Sequence, residues 1–235
     1  MSERYVHLTP RLRAALSMLS GSHTVADIGC DHGRLSAALL QQNICESVIA
    51  TDISEPSLSK AKQLLTYIGV SDRVSFRAGD GLDVLNPYEC DAIAVLGMGG
   101  TLMTRMLDRC SIPINGAGCI VLQPMRAQAD IRSCLYNNCY WIVDDRIIPE
   151  RGRLYQIFRA EPNVTKQPIP ESFPNDFFDV GYRSFEQRDP HLAELCRFQL
   201  AQHQKQLKTA AGTEGECKLA FRIDALNRIL NQLTE

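Results

Sequence analysis

The chain has 235 residues, 45% of them hydrophobic, with 25 basic against 27 acidic side chains and a formal net charge of −2. That length carries one full core plus an appendage, and the balanced charge excludes a global electrostatic pull on nucleic acid, so such a partner would have to be met by a local patch. Nine scattered cysteines without a C-x-x-C pair exclude a zinc ribbon or a disulfide framework and read as reduced core residues of a cytoplasmic protein, with no metal expected and no apolar run long enough to cross a membrane.

Leu8 to Leu19 has a helical apolar period, with Thr9 and Pro10 as cap and first-turn residue. A short apolar strand follows at Thr24 to Ile28, then a turn of the form Asp27-x-Gly29-x-Asp31-x-Gly33 that opens a helix from about Gly33 to Gln42. A second strand, Ser47 to Thr51, ends on Asp52, with Ile53 beside it, and Glu55 to Ile68 is the next helix. Strand, glycine turn, helix, strand and acid make a Rossmann-like βαβ unit, in which the turn packs against an adenosine and the acid takes the ribose hydroxyls. A dinucleotide fingerprint would need G-x-G-x-x-G to meet a pyrophosphate. Here Asp31 stands where the central glycine would be, so the turn suits a cofactor carrying ammonium and sulfonium charge.

Strand three, Val74 to Arg77, leads into Gly79-Asp80-Gly81, where Asp80 is placed to meet an adenine amino group. Strand four, Ala92 to Leu96, is continuously apolar, as a strand buried on both faces of a parallel sheet should be. It runs into Gly97-Met98-Gly99-Gly100 before a helix over Thr101 to Leu107. Those glycines permit close backbone approach, so main-chain carbonyls there are candidates to receive a substrate amine. Strand five, Cys119 to Leu122, ends in Gln123, whose amide can read a base edge. Trp141 to Ile148 and Arg153 to Phe158 form an antiparallel pair joined by Pro149-Glu150-Arg151-Gly152, a finish to the alternating β/α run that resembles that of methyltransferase sheets. Each acid has a plainer role as a cap or turn former; three of them at strand ends in one crevice point to a cofactor. Arg11, Arg13, Arg126, Arg132, Arg146, Arg151 and Arg153 cluster loosely, and a shared rim of them would bind phosphates.

From about Glu161 the texture changes. Pro162, Pro168, Pro170 and Pro174 mark a linker, followed by a helix over roughly Pro190 to Lys208, a turn at Gly212 to Gly215, and a terminal helix striped by Leu219, Ile223, Leu226, Leu230 and Leu233. The expected organisation is a Rossmann-like methyltransferase α/β domain over 1–160 and a coiled-coil-like helical hairpin domain over 161–235, in a monomer.

The combination of Leu8-Thr9-x-Arg11-Leu12, Asp27-Ile28-Gly29-Cys30-Asp31-His32, Gly97-Met98-Gly99-Gly100-Thr101-Leu102, Leu122-Gln123-Pro124 and Arg153-Leu154-Tyr155 resembles the bacterial tRNA (adenine-N1)-methyltransferase family that modifies adenosine 22 in the D-arm. One departure is Met125, where that family more often shows Asn. The resemblance implies S-adenosylmethionine (SAM) as methyl donor and tRNA, not DNA, as acceptor. On this reading Asp27, Gly29, Asp31, Gly33, Asp52, Ile53, Asp80 and Gly81 hold the cofactor. Gln123 and the Gly97 to Gly100 loop, Met98 and Gly99 included, frame the flipped base, with His32 beside the reacting atoms. Arg11, Arg126, Arg151 and Arg153 meet the RNA. The alternatives are a SAM methyltransferase acting on a small molecule or protein, and a non-catalytic SAM- or RNA-binding protein.

Overall fold

A computed structural model describes residues 6–109, 116–162, 173–174, 177–210, 212 and 214–234. Helix α1 (Pro10–Met18) starts at Thr9, whose hydroxyl accepts the Leu12 amide, and places Pro10 where its missing N–H has no partner to lose. Strand β1 (Thr24–Ile28), helix α2 (Arg34–Gln41), strand β2 (Ser47–Asp52), helix α3 (Glu55–Ile68) and strand β3 (Val74–Ala78) follow, then strand β4 (Ala92–Leu96), helix α4 (Gly100–Arg109) and strand β5 (Cys119–Gln123). Helix α5 (Gln128–Asn137), which the sequence reading leaves without an element, leads to strands β6 (Tyr140–Glu150) and β7 (Arg153–Pro162). Helices α6 (Tyr182–Glu186), α7 (Leu192–Leu207) and α8 (Glu214–Thr234) complete the chain.

The seven strands form one sheet in the order β3-β2-β1-β4-β5-β7-β6. Strands β1 to β5 pair in parallel, and β7 is antiparallel to both β5 and β6. This is the Rossmann-like methyltransferase arrangement expected from the sequence. The hairpin is longer than its apolar pattern suggests, and it closes through Arg151 and Gly152 with φ of 51° and 72°, the left-handed pair a two-residue type I′ turn requires.

Alternate residues of each central strand feed opposite faces. Val25, Val48, Ala50, Ala94 and Val121 pack with α1, α2 and α3, while Ala26, Ile28, Ile49, Ile93, Val95 and Leu122 face α4 and α5. The second cluster continues without a break into Phe177, Val180, Tyr182, Leu192, Leu195, Leu226 and Ile229, so α7 and α8 cover the far end of that face. The expected linker largely coincides with residues 163–172, outside the described residues; Pro162 ends β7.

Two arginines do not join any rim. Arg132 is 1% exposed, its guanidinium bonded to Asp145 and Gln156 between α5 and the hairpin. Arg146 is drawn onto Asp144 and Ser17. Alternation within β6 puts Asp145 inside, and a buried carboxylate needs a cation, which is why Arg132 is structural.

Candidate functional site

Strands β1, β4 and β5 end side by side, with Ile28 beside Val95 and Leu96 beside Gln123. Strand order reverses between β1 and β4, and the crevice beyond such a switch point is where open α/β sheets hold ligands. A cavity of about 270 Å³ opens there, lined by Arg11, Asp27, Gly29, Asp31, His32, Gly97 and Gln123 among others.

The turn after β1 is built from left-handed backbone. Gly29, Asp31 and Gly33 have φ of 67°, 49° and 68°, which reverses the chain within five residues and starts α2 at the cavity wall. A Cβ on Gly33 would lie 2.9 Å from that of Ala61, so the glycine also lets α2 begin against α3; one on Gly29 would meet the Met98 methyl at 2.2 Å. Asp27, 4% exposed, accepts a 2.6 Å hydrogen bond from Ser36 Oγ of α2. Burial pushes its carboxyl up to about 6, against the Ser36 hydrogen bonds and with some help from the Asp52 charge.

Asp52 is pinned from two sides. Its Oδ2 accepts the Asp31 amide at 3.0 Å and its Oδ1 the Ser54 amide at 2.8 Å. An ionised carboxylate offers about four acceptor sites, so the group is oriented and still has capacity for two hydroxyls. Ile53, next to it, is 75% exposed, an apolar surface beside a fixed acceptor. That pairing matches a ribose and its purine, and these residues therefore fit an adenosine-bearing cofactor. The Gly79 amide donates to Asp52 O, tying the β3 turn to the same edge. Asp80 lines a neighbouring hollow of about 130 Å³ with Leu82, Leu102 and Arg105, and Gly81 (φ 59°) gives room there to Met106.

Gln123 and Arg11 also line the cavity, with their polar groups already engaged by protein partners. Gln123 is 1% exposed and engaged at both ends of its amide: Oε1 accepts Arg11 Nη1 at 3.0 Å, and Nε2 donates to Pro124 O at 3.1 Å. Its amide is thus held between Arg11 and Pro124 at the cavity wall. Arg11 lies in the cavity wall, not on an exposed rim. Its Nε and Nη2 each stand 3.1 Å from Glu150 Oε1, and its guanidinium lies 4.1 Å over the Tyr155 ring. Burial works to raise the Glu150 carboxyl, but the hydrogen bonds from Arg11 outweigh it and hold it below the usual carboxylate range. No local spacing connects residue 150 to residue 11; only the length of the β6–β7 hairpin brings them together.

His32 is exposed on the cavity rim, with Nε2 3.4 Å from Lys60 Nζ and 3.6 Å from Asp31 Oδ1. Of the glycine run, Gly97 (φ 75°) lines the cavity; the Met98 carbonyl accepts the Met125 amide, and the Gly99 carbonyl accepts those of Leu102 and Met103. Gly100 packs against the Arg126 carbonyl, where a Cβ would come within 2.2 Å. Arg126, Arg151 and Arg153 are exposed, the last two on the hairpin tip that carries Glu150. Among the described residues no cluster of His, Cys, Asp and Glu is arranged to hold a metal, and no helix is long and apolar enough to cross a membrane.

A family model described as a methyltransferase domain matches residues 8–158. The tRNA (adenine(22)-N(1))-methyltransferase of Bacillus subtilis (strain 168) is 32% identical over 154 residues, covering 66% of this chain and 65% of that protein. The matched segment thus spans slightly under two thirds of the curated relative's length. Among solved structures, the B. subtilis m1A22 tRNA methyltransferase TrmK superposes with a TM-score of 0.82 at 26% identity over 96% of this chain and 99% of that one. M. capricolum TrmK, solved with the cofactor product S-adenosyl-homocysteine, gives 0.73 at 18% identity over 97% and 98%.

Proposed function

We propose, from the premise that this chain belongs to the methyltransferase-domain family, that it transfers a methyl group from SAM to N1 of adenosine 22 in the D-arm of bacterial tRNA. The observation that carries the reading is the pairing of an oriented Asp52 with exposed Ile53, tied through the Asp31 amide to a cavity lined by Asp27, Gly29, Asp31 and Gly97. The B. subtilis relative supplies the choice of acceptor. The sheet portion, to about residue 160, binds the cofactor, and the helical portion flanks the RNA. The working unit is a cytoplasmic monomer.

Bound in this cavity, SAM supplies an electrophilic methyl group on a positively charged sulfur. Asp52 would receive the ribose hydroxyls, Ile53 would lie against the purine, and the buried Asp27 carboxylate would stand opposite the ammonium end. Adenine N1 carries a lone pair at neutral pH, so no strong general base is required. What the chain contributes is alignment of N1 with the methyl group and exclusion of water. The N1 edge is normally engaged within folded RNA, so the nucleotide must be extruded, at about a few kcal/mol. Gly97, without a side chain at the cavity floor, gives the extruded base room to approach.

The test is transfer of labelled methyl from SAM to unmodified tRNA transcripts carrying A or G at position 22, with reverse-transcription stops locating the product. A stop in the A transcript alone supports the assignment; tight SAM binding without transfer to either would replace tRNA with another acceptor. In the same preparation Asp52→Ala should weaken SAM binding by at least about tenfold in calorimetry, the worth of roughly one hydrogen bond to a charged group, and unchanged affinity would remove Asp52 from the cofactor site.

A further inference from the structure

We propose that Arg11 is the platform on which the target nucleobase stacks, and that Glu150 is the positioning residue that holds its guanidinium plane in the cavity. The inference rests on the methyl-transfer reading above and assigns Arg11 to the base instead of to a phosphate.

The argument starts from the donors of the guanidinium. Nε and Nη2 face Glu150 Oε1, while Nη1 reaches Gln123 Oε1 at 3.0 Å and Met125 Sδ at 3.8 Å. Four of the five N–H groups an arginine carries are thereby directed at protein partners. A guanidinium whose edge is filled in this way, with its charge balanced by a 7% exposed carboxylate, has little left for a phosphate oxygen. What it retains is its plane. One face lies 4.1 Å over the Tyr155 ring, and Arg11 nevertheless lines the cavity, so the second face is the part of the group available to a ligand there. Flat, weakly hydrated guanidinium faces stack on nucleobases, and extruded RNA bases are commonly received on aromatic or arginine planes.

Glu150 explains why the plane is fixed. The same carboxylate accepts the Arg11 side chain through Oε1 and the Arg11 backbone amide at 3.2 Å through Oε2, so one residue locks both the start of α1 and the guanidinium. Tyr155 backs the platform from β7, and Gln123, at the end of β5, sets its other edge. The tip of the hairpin, the first helix and the central sheet thus meet at one side chain that borders Gly97 and the cofactor turn. A lysine in place of Arg11 keeps the charge but has neither plane nor fork.

The experiment is a double-mutant cycle between protein and RNA, which reads binding and so does not depend on turnover. Wild-type protein and Arg11→Lys are titrated with tRNA carrying adenine or an abasic site at position 22, with SAM affinity and melting temperature recorded as checks on the fold. Loss of the plane should remove at least about fivefold of base-dependent affinity, the lower end of what base stacking contributes, so that Arg11→Lys no longer distinguishes the two RNAs as wild type does. It should also slow single-turnover methyl transfer at saturating tRNA by at least tenfold, and Arg11→Gln, which removes the charge as well, should leave the salt dependence of tRNA binding unchanged. Glu150→Gln should share that slowing in the wild-type background and add nothing to Arg11→Lys. Independent effects in the cycle, a salt slope reduced by about one in Arg11→Gln, or full activity in Arg11→Lys would each overturn the proposal, the second by returning Arg11 to a phosphate. Effects of Glu150→Gln that multiply with those of Arg11→Lys would overturn the positioning role. Absence of methyl transfer by the wild-type protein, with the cycle still coupled, would instead count against the reaction.

Discussion

Asp27→Asn should stabilise the ligand-free protein at pH 7.5 and weaken its hold on SAM in the same step. Burial has raised this carboxyl from 3.8 to about 6, with the two Ser36 hydrogen bonds opposing the rise and Asp52 adding to it. The folded protein therefore binds more protons than the unfolded chain between about pH 4 and pH 6. The contribution of this group to stability falls as pH rises through that window, and above it the charged carboxylate costs the fold its full amount. At roughly 1.4 kcal/mol per pH unit the ceiling is about 3 kcal/mol, and 1–3 kcal/mol is the expected gain. Thermal melts should show the variant several degrees higher at pH 7.5 and close to wild type at pH 4, where both side chains are neutral. SAM affinity should fall about ten- to a hundredfold, the worth of a charge-assisted hydrogen bond. Wild-type affinity should decline as pH drops below 6, and the variant's should not. A lower melting temperature at pH 7.5, or unchanged SAM affinity, would detach Asp27 from both roles.

A single residue thus sits on opposite sides of stability and function. The same burial that makes the carboxylate costly makes it a strong partner for a cation, because no water competes for its lone pairs. Asp52 is handled differently: half-buried and held by two backbone amides, it is oriented without the same desolvation. On the proposed function these two acids, from the first and second strands, would do separate work, one as a buried counter-charge and one as an aimed acceptor.

Much of this arrangement was legible in the sequence because its signals are local. The strand and turn from Thr24 to Gly33 announce themselves by apolar run, glycine and acid, and Ser47–Asp52 follows at the distance a βαβ unit requires. Continuous apolarity over Ala92–Leu96 marks a strand covered on both faces, which it is. Helix α5 escaped because Gln128–Asn137 carries polar residues through most of its length and buries only Ile131, Arg132 and Leu135, a face whose central member is charged. The role of Glu150 escaped for a different reason. Its partner is 139 residues away, and a carboxylate in a hairpin pattern gives no sign of which side chain will lie opposite. The pairing of Arg11 with Glu150 is hidden for the same reason, because a cation's counter-charge is a tertiary fact. The same limit applies to Arg132.

Arg132→Met is expected to be the most damaging single change away from the cavity. Its side chain is 1% exposed and that of Asp145 is fully buried, with Nε and Nη2 on the two carboxylate oxygens at 3.0 and 3.1 Å. Nη2 also reaches Gln156 Oε1 at 2.8 Å and Nη1 the Phe178 carbonyl at 3.1 Å, so α5, both hairpin strands and the approach to α6 converge on one guanidinium. Asp145 cannot move aside, because it is packed so closely on Gly181 that a Cβ there would fall 1.7 Å from Oδ2. Even with Arg132 present, burial holds the Asp145 carboxyl above its ordinary range. Removing the cation leaves that charge uncompensated at a cost of about 3–5 kcal/mol, or roughly 10 °C in melting temperature for a chain of this size. The sign with pH follows: the folded-state carboxyl, already raised, rises further, so the loss should be largest at pH 8 and shrink as acid protonates the group. Arg132→Met with Asp145→Leu should recover most of the deficit, since an apolar pair leaves no orphaned charge. Thermal melts of both variants at pH 8 and pH 5 make the comparison; a deficit below about 1 kcal/mol, or one indifferent to pH, would mean that the buried Asp145 does not depend on Arg132 for its counter-charge.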